Sequence, residues 1–179
     1  MSELSLPGAH NVENAMAAAA AALSFGIEPE AICHAMRTFS GLVHRIERVR
    51  ELNGITWYND SKATNPHAAE AALKAFDEPL VLICGGSEKG SEFGEWADLV
   101  VRNCRHVVCF GESSPRMVTA LGGRAPLSHV SDLTEAIAHA QNAASSGGIV
   151  VLSPACASFD QFESYEQRGD IFKEMVNAL

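Results

Sequence analysis

No run of about 18 apolar residues, the length a membrane-spanning helix needs, occurs in the 179-residue sequence, so no membrane insertion is expected. The first residues, Met1-Ser2-Glu3-Leu4, have neither a basic stretch nor an apolar one behind it, which argues against secretion. Cysteine is thinly scattered: Cys33, Cys84, Cys104, Cys109 and Cys156 form an odd set with no C-x-x-C pair. That excludes a disulfide scaffold and reads as reduced thiols of a cytoplasmic protein, with no metal site expected. Positive charge is also scarce, 13 Lys and Arg against 22 Asp and Glu, for a formal net charge of −9. Phosphate affinity comes from clustered Lys and Arg, so nucleic-acid binding is not expected. The string G-x-x-x-x-G-K-[ST] is missing, which excludes a self-contained P-loop nucleotidase, and no G-x-S-x-G elbow surrounds Ser158. There is no internal repeat and no low-complexity linker.

What is present is globular in character. Hydrophobic residues make up 47% and charged ones 20%, and a chain of this size buries about 70% of its surface without staples. The acidic total does not decide what binds. Charges are screened beyond ~8 Å, whereas a lysine ~4 Å from a carboxylate is worth up to ~4 kcal/mol at an effective dielectric of 20. Two well-placed lysines outweigh the overall balance.

The pattern along the chain predicts two opening helices, at 11–24 with Asn11 as N-cap and Gly26 as stop, and from Pro29 to about residue 38. After Ser40-Gly41 the texture changes to strands alternating with helices. Asn53-Gly54 is a strong hairpin signal between strands at 46–52 and 55–58. Helices are predicted at 66–76, 93–104, 114–121, 132–144 and about 165–178, and strands at 80–84, 106–110, 127–130 and 149–153. Asp132 and Glu135 have capping-box spacing. The runs Leu80-Val81-Leu82-Ile83 and Ile149-Val150-Val151-Leu152 lack alternation, as strands covered on both faces do. The expected fold is therefore α/β, Rossmann-like: a mostly parallel sheet with one antiparallel strand and helices on both faces, preceded by a helical stub. Residues 1–39 read as the stub, belonging to a neighbouring domain, and 40–179 as the Rossmann-like domain.

Ligands of open α/β sheets bind at the carboxyl ends of the strands. Three loops there collect lysines, hydroxyls and helix starts: Asn59-Asp60-Ser61-Lys62-Ala63-Thr64-Asn65, Gly85-Gly86-Ser87-Glu88-Lys89-Gly90, and Ser153-Pro154-Ala155-Cys156-Ala157-Ser158-Phe159-Asp160. Taken singly they have plain readings, Asp60 and Asn65 as turn and cap residues and Gly85-Gly86 as a turn. Taken together they favour a small carboxylate or phosphate ligand.

Five strings then occur in order: LPGAHNVENAMAAAA (6–20), GLVHRIE (41–47), NDSKATNP (59–66), GGSEKG (85–90) and SPACASFDQFESYEQRGDIFK (153–173). They closely resemble the C-terminal part of the Mur ligase family. NDSKATN and SPACASFDQF are characteristic of its D-glutamate-adding branch. The resemblance covers nearly the whole chain. It implies part of a three-domain enzyme that uses ATP and magnesium to phosphorylate the terminal carboxylate of UDP-N-acetylmuramoyl-L-alanine, after which D-glutamate attacks the acyl phosphate in peptidoglycan synthesis. It also implies roles. Asn11 and Asn14 contact adenine, His44 and Arg45 approach the nucleotide, and Asp60 holds its ribose. Lys62, Thr64, Lys89, Ser158 and Phe159 cradle D-glutamate, with Tyr165 at a further pocket position where the family often has phenylalanine. Arg45 and Lys62 are the catalytic candidates. By this resemblance Lys89 with Thr64 serves one carboxylate and Ser158 with nearby amides the other.

The uridine-nucleotide domain, the P-loop and the magnesium ligands have no counterpart in these 179 residues, so the resemblance implies a fragment inactive alone, with ATP or ADP met in the parent enzyme. Two other readings stay open. One is a non-catalytic Rossmann-type nucleotide or amino-acid binding module. The other is a folylpolyglutamate synthase-like ligase domain.

Overall fold

The structure is a computed structural model that describes residues 9–39, 41–87, 89–144 and 148–179. The boundary placed at Ser40, and Glu88 of the second loop, lie outside the described residues.

Helices α1 (Ala9–Ser24) and α2 (Pro29–Thr38) form the opening pair. Helix α1 already includes Ala9, so Asn11 lies inside it rather than capping it, a correction to the expected start. Alanine density carries the helical preference through that point, since alanine gives up least on entering a helix. Gly26 (φ +76°) turns the chain out, and Pro29 starts α2 at its first position, where the lost N–H has no intrahelical partner in any case. Among the described residues α2 buries none of its own. Met16, Leu23, Phe25, Ile27 and Phe39 are all exposed.

The remaining elements are β1 (Glu47–Leu52), β2 (Ile55–Asn59), α3 (Pro66–Leu73), β3 (Leu80–Gly85), α4 (Gly94–Asn103), β4 (Cys104–Phe110), α5 (Ser114–Leu121), β5 (Leu127–His129), α6 (Leu133–Ala143), β6 (Ile149–Leu152) and α7 (Tyr165–Ala178). They build one six-stranded sheet in the order β1-β2-β6-β3-β4-β5. Among the described strands only β1 is antiparallel, joined to β2 by Asn53 (φ +52°) and Gly54 (φ +76°), the two left-handed residues a tight hairpin requires. Helix α3 stops at Leu73, shorter than expected, and Phe76 leaves it to pack against Tyr58 at 4.8 Å between ring centroids.

Strand β3 shows why its sequence does not alternate. Leu80, Leu82 and Cys84 point into one core with Ala69, Trp96 and Met117, beneath α3, α4 and α5. Val81 and Ile83 point into a second core with Ile137, Phe172 and Val176, beneath α6 and α7. Both faces are dry, so every position is apolar.

The order places β6 between β2 and β3. The last strand of the chain thereby separates the second from the third, and the three loops picked out in the sequence come from three adjacent strands. Local capping fixes where two of the helices begin. Asn65 Oδ1 accepts from the Ala68 amide at 2.9 Å, and Asp132 Oδ1 from the Glu135 amide at 2.9 Å. Glu135 answers by accepting from the amide and hydroxyl of Ser131, one residue earlier than a standard capping box. The Asn65→Ala variant is expected to lose about 1 kcal/mol of stability by chemical denaturation, the usual worth of an N-cap side chain.

Candidate functional site

The loop after β2 is bolted to β6. The Asp60 amide donates to the Leu152 carbonyl at 2.7 Å, and Ser153 Oγ donates to Asp60 Oδ2 at 2.7 Å. The other carboxylate oxygen accepts from the Ile46 amide at 3.2 Å. Asp60 is buried with both oxygens engaged inside the protein, and burial raises its carboxyl from 3.8 to about 7 against those hydrogen bonds and the nearby Arg45 charge.

The segment before β1 holds two of the four non-glycine residues with positive φ among the described residues. His44 (φ +63°) and Ile46 (φ +46°) both adopt left-handed conformations, and a β-branched residue there is a genuine outlier. Such residues cost about 1–3 kcal/mol each and persist only when their surroundings hold them. Here the holding groups are visible. The His44 amide donates to Glu47 Oε2 at 2.9 Å, its carbonyl accepts from the Lys62 amide at 3.0 Å, and Asp60 holds Ile46. Asn59 turns its Oδ1 to the Ser61 amide at 3.1 Å, which aims Nδ2 at His44 Nδ1, 3.0 Å away. With Nδ2 donating, His44 Nδ1 is an acceptor and the proton of the neutral ring sits on Nε2. Gly169 on α7 makes this possible: a Cβ there would overlap the His44 imidazole.

Around the three loops the backbone is knit closely. The Ser87 amide donates to the Ala157 carbonyl at 2.8 Å, the Gly85 amide to Pro154 at 2.9 Å, and the Asp160 amide to Ser87 Oγ at 2.9 Å. Asp160 Oδ2 accepts from the Glu112 amide at 3.0 Å, which ties in the loop after β4. Gly86 (φ +139°) has no room for a side chain, because a Cβ would strike the Ala157 carbonyl and press on Arg168. The plain reading of Gly85-Gly86 as a turn shaper is therefore met, and Asn65 is likewise a cap.

Two of the candidate lysines rest on aromatic rings. Lys62 Nζ lies 5.8 Å from the centroid of Tyr165, and Lys89 Nζ lies 5.3 Å from that of Phe159. Both lysines and Phe159 are exposed, while Thr64 and Tyr165 are half-buried. Ser158 is buried at 1% exposure, its carbonyl accepting from the Gln161 and Phe162 amides. Asn11, Asn14 and Arg45 come together elsewhere. They line a cavity of about 570 Å³ with Ala18, Met36 and Leu42, between the opening helices and the strained segment. His44, within that segment, and Asp60, bonded to it, do not line the cavity. The residues given nucleotide-side roles are thus divided between an open cavity and a closed network.

Sequence reasoning assigned no part to Glu47, Asn59, Arg168, Gly169 or Asp170, although all stand in the quoted strings. A signal existed for Arg168. It shares the buried stripe of α7 with Phe172 and Val176 at four-residue spacing, where an arginine is out of place on an apolar face.

Comparison with known proteins decides the family. Residues 44–156 match the model of the Mur ligase glutamate ligase domain. The chain belongs to that family. It is 49% identical over 179 residues to a protein of Caldicellulosiruptor bescii named UDP-N-acetylmuramoylalanine--D-glutamate ligase, covering 99% of this chain and 39% of that one. A protein of the same name from Pelotomaculum thermopropionicum is 47% identical over 99% of this chain and 39% of its own length. The chain therefore spans about two fifths of the length of these relatives. Among solved structures, a UDP-N-acetylmuramate-alanine ligase from Thermotoga maritima aligns with TM-score 0.72 and 19% identity over 98% of this chain and 39% of that one. A Mycobacterium tuberculosis folylpolyglutamate synthase complexed with ADP and AMPPCP aligns with TM-score 0.68 and 21% identity over 94% of this chain and 41% of that one. At those identities the likeness extends to the fold.

The raised Asp60 carboxyl makes a pH prediction. A carboxyl whose folded value lies above its unfolded one binds more protons when folded, so its contribution to stability is complete below pH 3.8 and is lost as pH rises to about 7. Measured by urea denaturation, the stability of the wild-type protein relative to Asp60→Asn is expected to fall by about 2–4 kcal/mol across that window, at about 1.4 kcal/mol per tenfold change in proton affinity. A difference that stays flat with pH contradicts it.

Proposed function

We propose that this chain is the D-glutamate-binding part of an ATP-dependent ligase that adds D-glutamate to UDP-N-acetylmuramoyl-L-alanine in peptidoglycan synthesis. The observation that carries the reading is the pairing of Lys62 with Tyr165 and Lys89 with Phe159 on loops of adjacent parallel strands, in a chain 49% identical to a protein of that name. A dicarboxylate needs charge-assisted donors at both ends, each worth about 1.5–3 kcal/mol. Lys89 with Thr64 serves one carboxylate, and Ser158 with neighbouring amides the other. Lys62 holds the substrate side against Tyr165, whose hydroxyl alters the pocket rim. Cation–π contact keeps both ammonium groups at the mouth without neutralising them, so an anionic ligand draws them off the rings.

The cavity beside α1 and α2 suits ATP at its adenine end. Its alanine and leucine walls offer flat apolar faces, Asn11 and Asn14 offer amides, and the exposed Arg45 offers a guanidinium for phosphate. Asp60 reaches a ribose only by giving up one of its internal bonds. Bound ATP would supply the phosphoryl group that activates the substrate carboxylate, and Arg45 would stabilise charge developing during that transfer. Among the described residues no group of three His, Cys, Asp or Glu side chains is placed to hold a metal ion, so no residue here is assigned to magnesium.

Residues 1–39 fit as the end of the neighbouring ATPase domain, which would cover the exposed Met16, Leu23 and Phe25. We place a hinge between the opening helices and the sheet at 41–43, within the 41–45 stretch where the Mur ligase resemblance implies one. Gly41 (φ +95°) is left-handed and Leu42 and Val43 are exposed, whereas His44 is already fastened to β2 and α7. Closure there excludes water from the acyl phosphate. Among the described residues no helix is long and apolar enough to cross a membrane, and an odd set of five cysteines with no C-x-x-C pair fits a cytoplasmic location. The structural likeness to a folylpolyglutamate synthase, at 21% identity, gives no preference over relatives at 49%.

Titration of the chain with millimolar D-glutamate, followed by amide NMR shifts, is expected to perturb Thr64, Lys89 and Ser158; silence at all three sinks the reading. In the full-length enzyme, Lys89→Ala is expected to raise the D-glutamate KM strongly with less effect on the nucleotide. Arg45→Ala is expected to depress the phosphoryl-transfer step instead. The reverse pattern overturns the two assignments.

A further inference from the structure

One charged group lies beneath all three loops and has no part in the roles above. Arg168, from the first turn of α7, is 0% exposed. Its Nε donates to Ser61 Oγ at 2.9 Å, and its Nη2 donates to the carbonyls of Ser61 at 2.9 Å and Cys156 at 3.1 Å. Its Nη1 donates to the Ala157 carbonyl at 3.1 Å and reaches the Gly85 carbonyl at 3.5 Å. One planar fork therefore spans the loop after β2, the end of β3 and the loop after β6. Those segments carry Lys62 and Thr64, lead to Lys89, and carry Ser158 and Phe159. Lysine has neither the reach in two directions nor the fixed fork to make these bonds together.

The charge matters separately from the bonds. Among the described residues no carboxylate oxygen lies within 4.0 Å of the guanidinium, and Asp160 acts on it only from farther away. Burial lowers its pKa to about 10, which leaves it cationic at neutral pH. Burying an ion costs several kcal/mol, and proteins normally meet that with an opposite charge. Here carbonyl and hydroxyl dipoles stand in for one. The positive potential of Arg168 is therefore left at the loop ends, in a protein whose formal net charge is −9.

We infer that Arg168 is a positioning residue for the ligand site, fixing the relative places of the three loops through five hydrogen bonds and leaving its buried charge to be balanced by a dicarboxylate ligand. This rests on the D-glutamate reading, which the wild-type titration tests on its own. The discriminating measurement compares the affinities of the 179-residue chain for D-glutamate and for D-glutamine, which lacks the side-chain charge.

Arg168→Met is expected to lower the D-glutamate preference about tenfold, and Arg168→Lys to keep the preference while weakening both ligands, because one loses the charge and the other only the fork. Ser61→Ala, which removes one acceptor and leaves the charge, is expected to weaken both ligands by about threefold, the lower end of a hydrogen bond's worth. It serves as the measure if the Arg168 variants do not fold. In the wild-type chain the Arg168 Nε–H resonance is expected to move with the same saturation curve as the Ser158 amide. If Arg168→Met weakens D-glutamate and D-glutamine equally, the charge plays no part and the inference is overturned. An Nε–H resonance that stays still while Ser158 moves overturns it as well, and leaves the D-glutamate reading standing. A wild-type chain that binds neither ligand removes both.

Discussion

The hydrogen bonds of one buried arginine hold the carboxyl edge of the sheet together. Arg168 is anchored on the apolar stripe of α7, yet all its polar contacts are with Ser61, Gly85, Cys156 and Ala157 on three other segments. An unpaired guanidinium in a dry interior is tolerable only when every N–H direction finds an oxygen, so the acceptors are fixed as firmly as the donor. Gly86 shows the same constraint from the other side, since a side chain at that position would push against both the Ala157 carbonyl and Arg168. Packing, hydrogen bonding and charge meet in one place, and the loops that carry the candidate ligand residues inherit their geometry from it.

A second network governs how that edge meets the opening helices. The strained His44 and Ile46 are held by Glu47, Asn59, Asp60 and the Lys62 amide, while Lys173 bridges Glu47 at 3.4 Å and Asp170 at 3.1 Å. Two left-handed residues cost energy that is repaid only while this network is intact. The hinge proposed at 41–43 lies just ahead of it. Asp60 belongs to both systems, gripping Ile46 with one oxygen and Ser153 with the other. Its raised pKa is the cost of that internal position.

The opening helices behave differently from the sheet. They have a strong intrinsic preference for helix but bury little, and their large apolar side chains face outward. Helices gain most of their stability from a packed face, and here that face is left open next to a cavity lined by Asn11, Asn14 and Arg45. The chain spans about two fifths of its relatives' length, 39% in the case of the Caldicellulosiruptor bescii protein.

Local physics carried the elements into the sequence plainly. Asn53-Gly54 specified a hairpin, Pro29 and Pro66 opened helices, and the unbroken apolar run of β3 announced burial on both faces. Each of these depends on residues a few positions apart. Asn11 misled because a polar residue that suits a cap is also tolerated inside an alanine-rich helix. The site was half legible: the loops and their lysines could be read, but Arg168, Asn59 and Gly169 could not be given purposes, because each also meets a group more than a hundred positions away, Arg168 at Ser61, Asn59 at Gly169 and Gly169 at His44. What the sequence by itself determined was the set of elements and the chemistry of their loops. What only the tertiary structure decided was the insertion of β6 between β2 and β3, because strand order is settled by long-range pairing that no short window records. That insertion gathers three distant loops over one guanidinium.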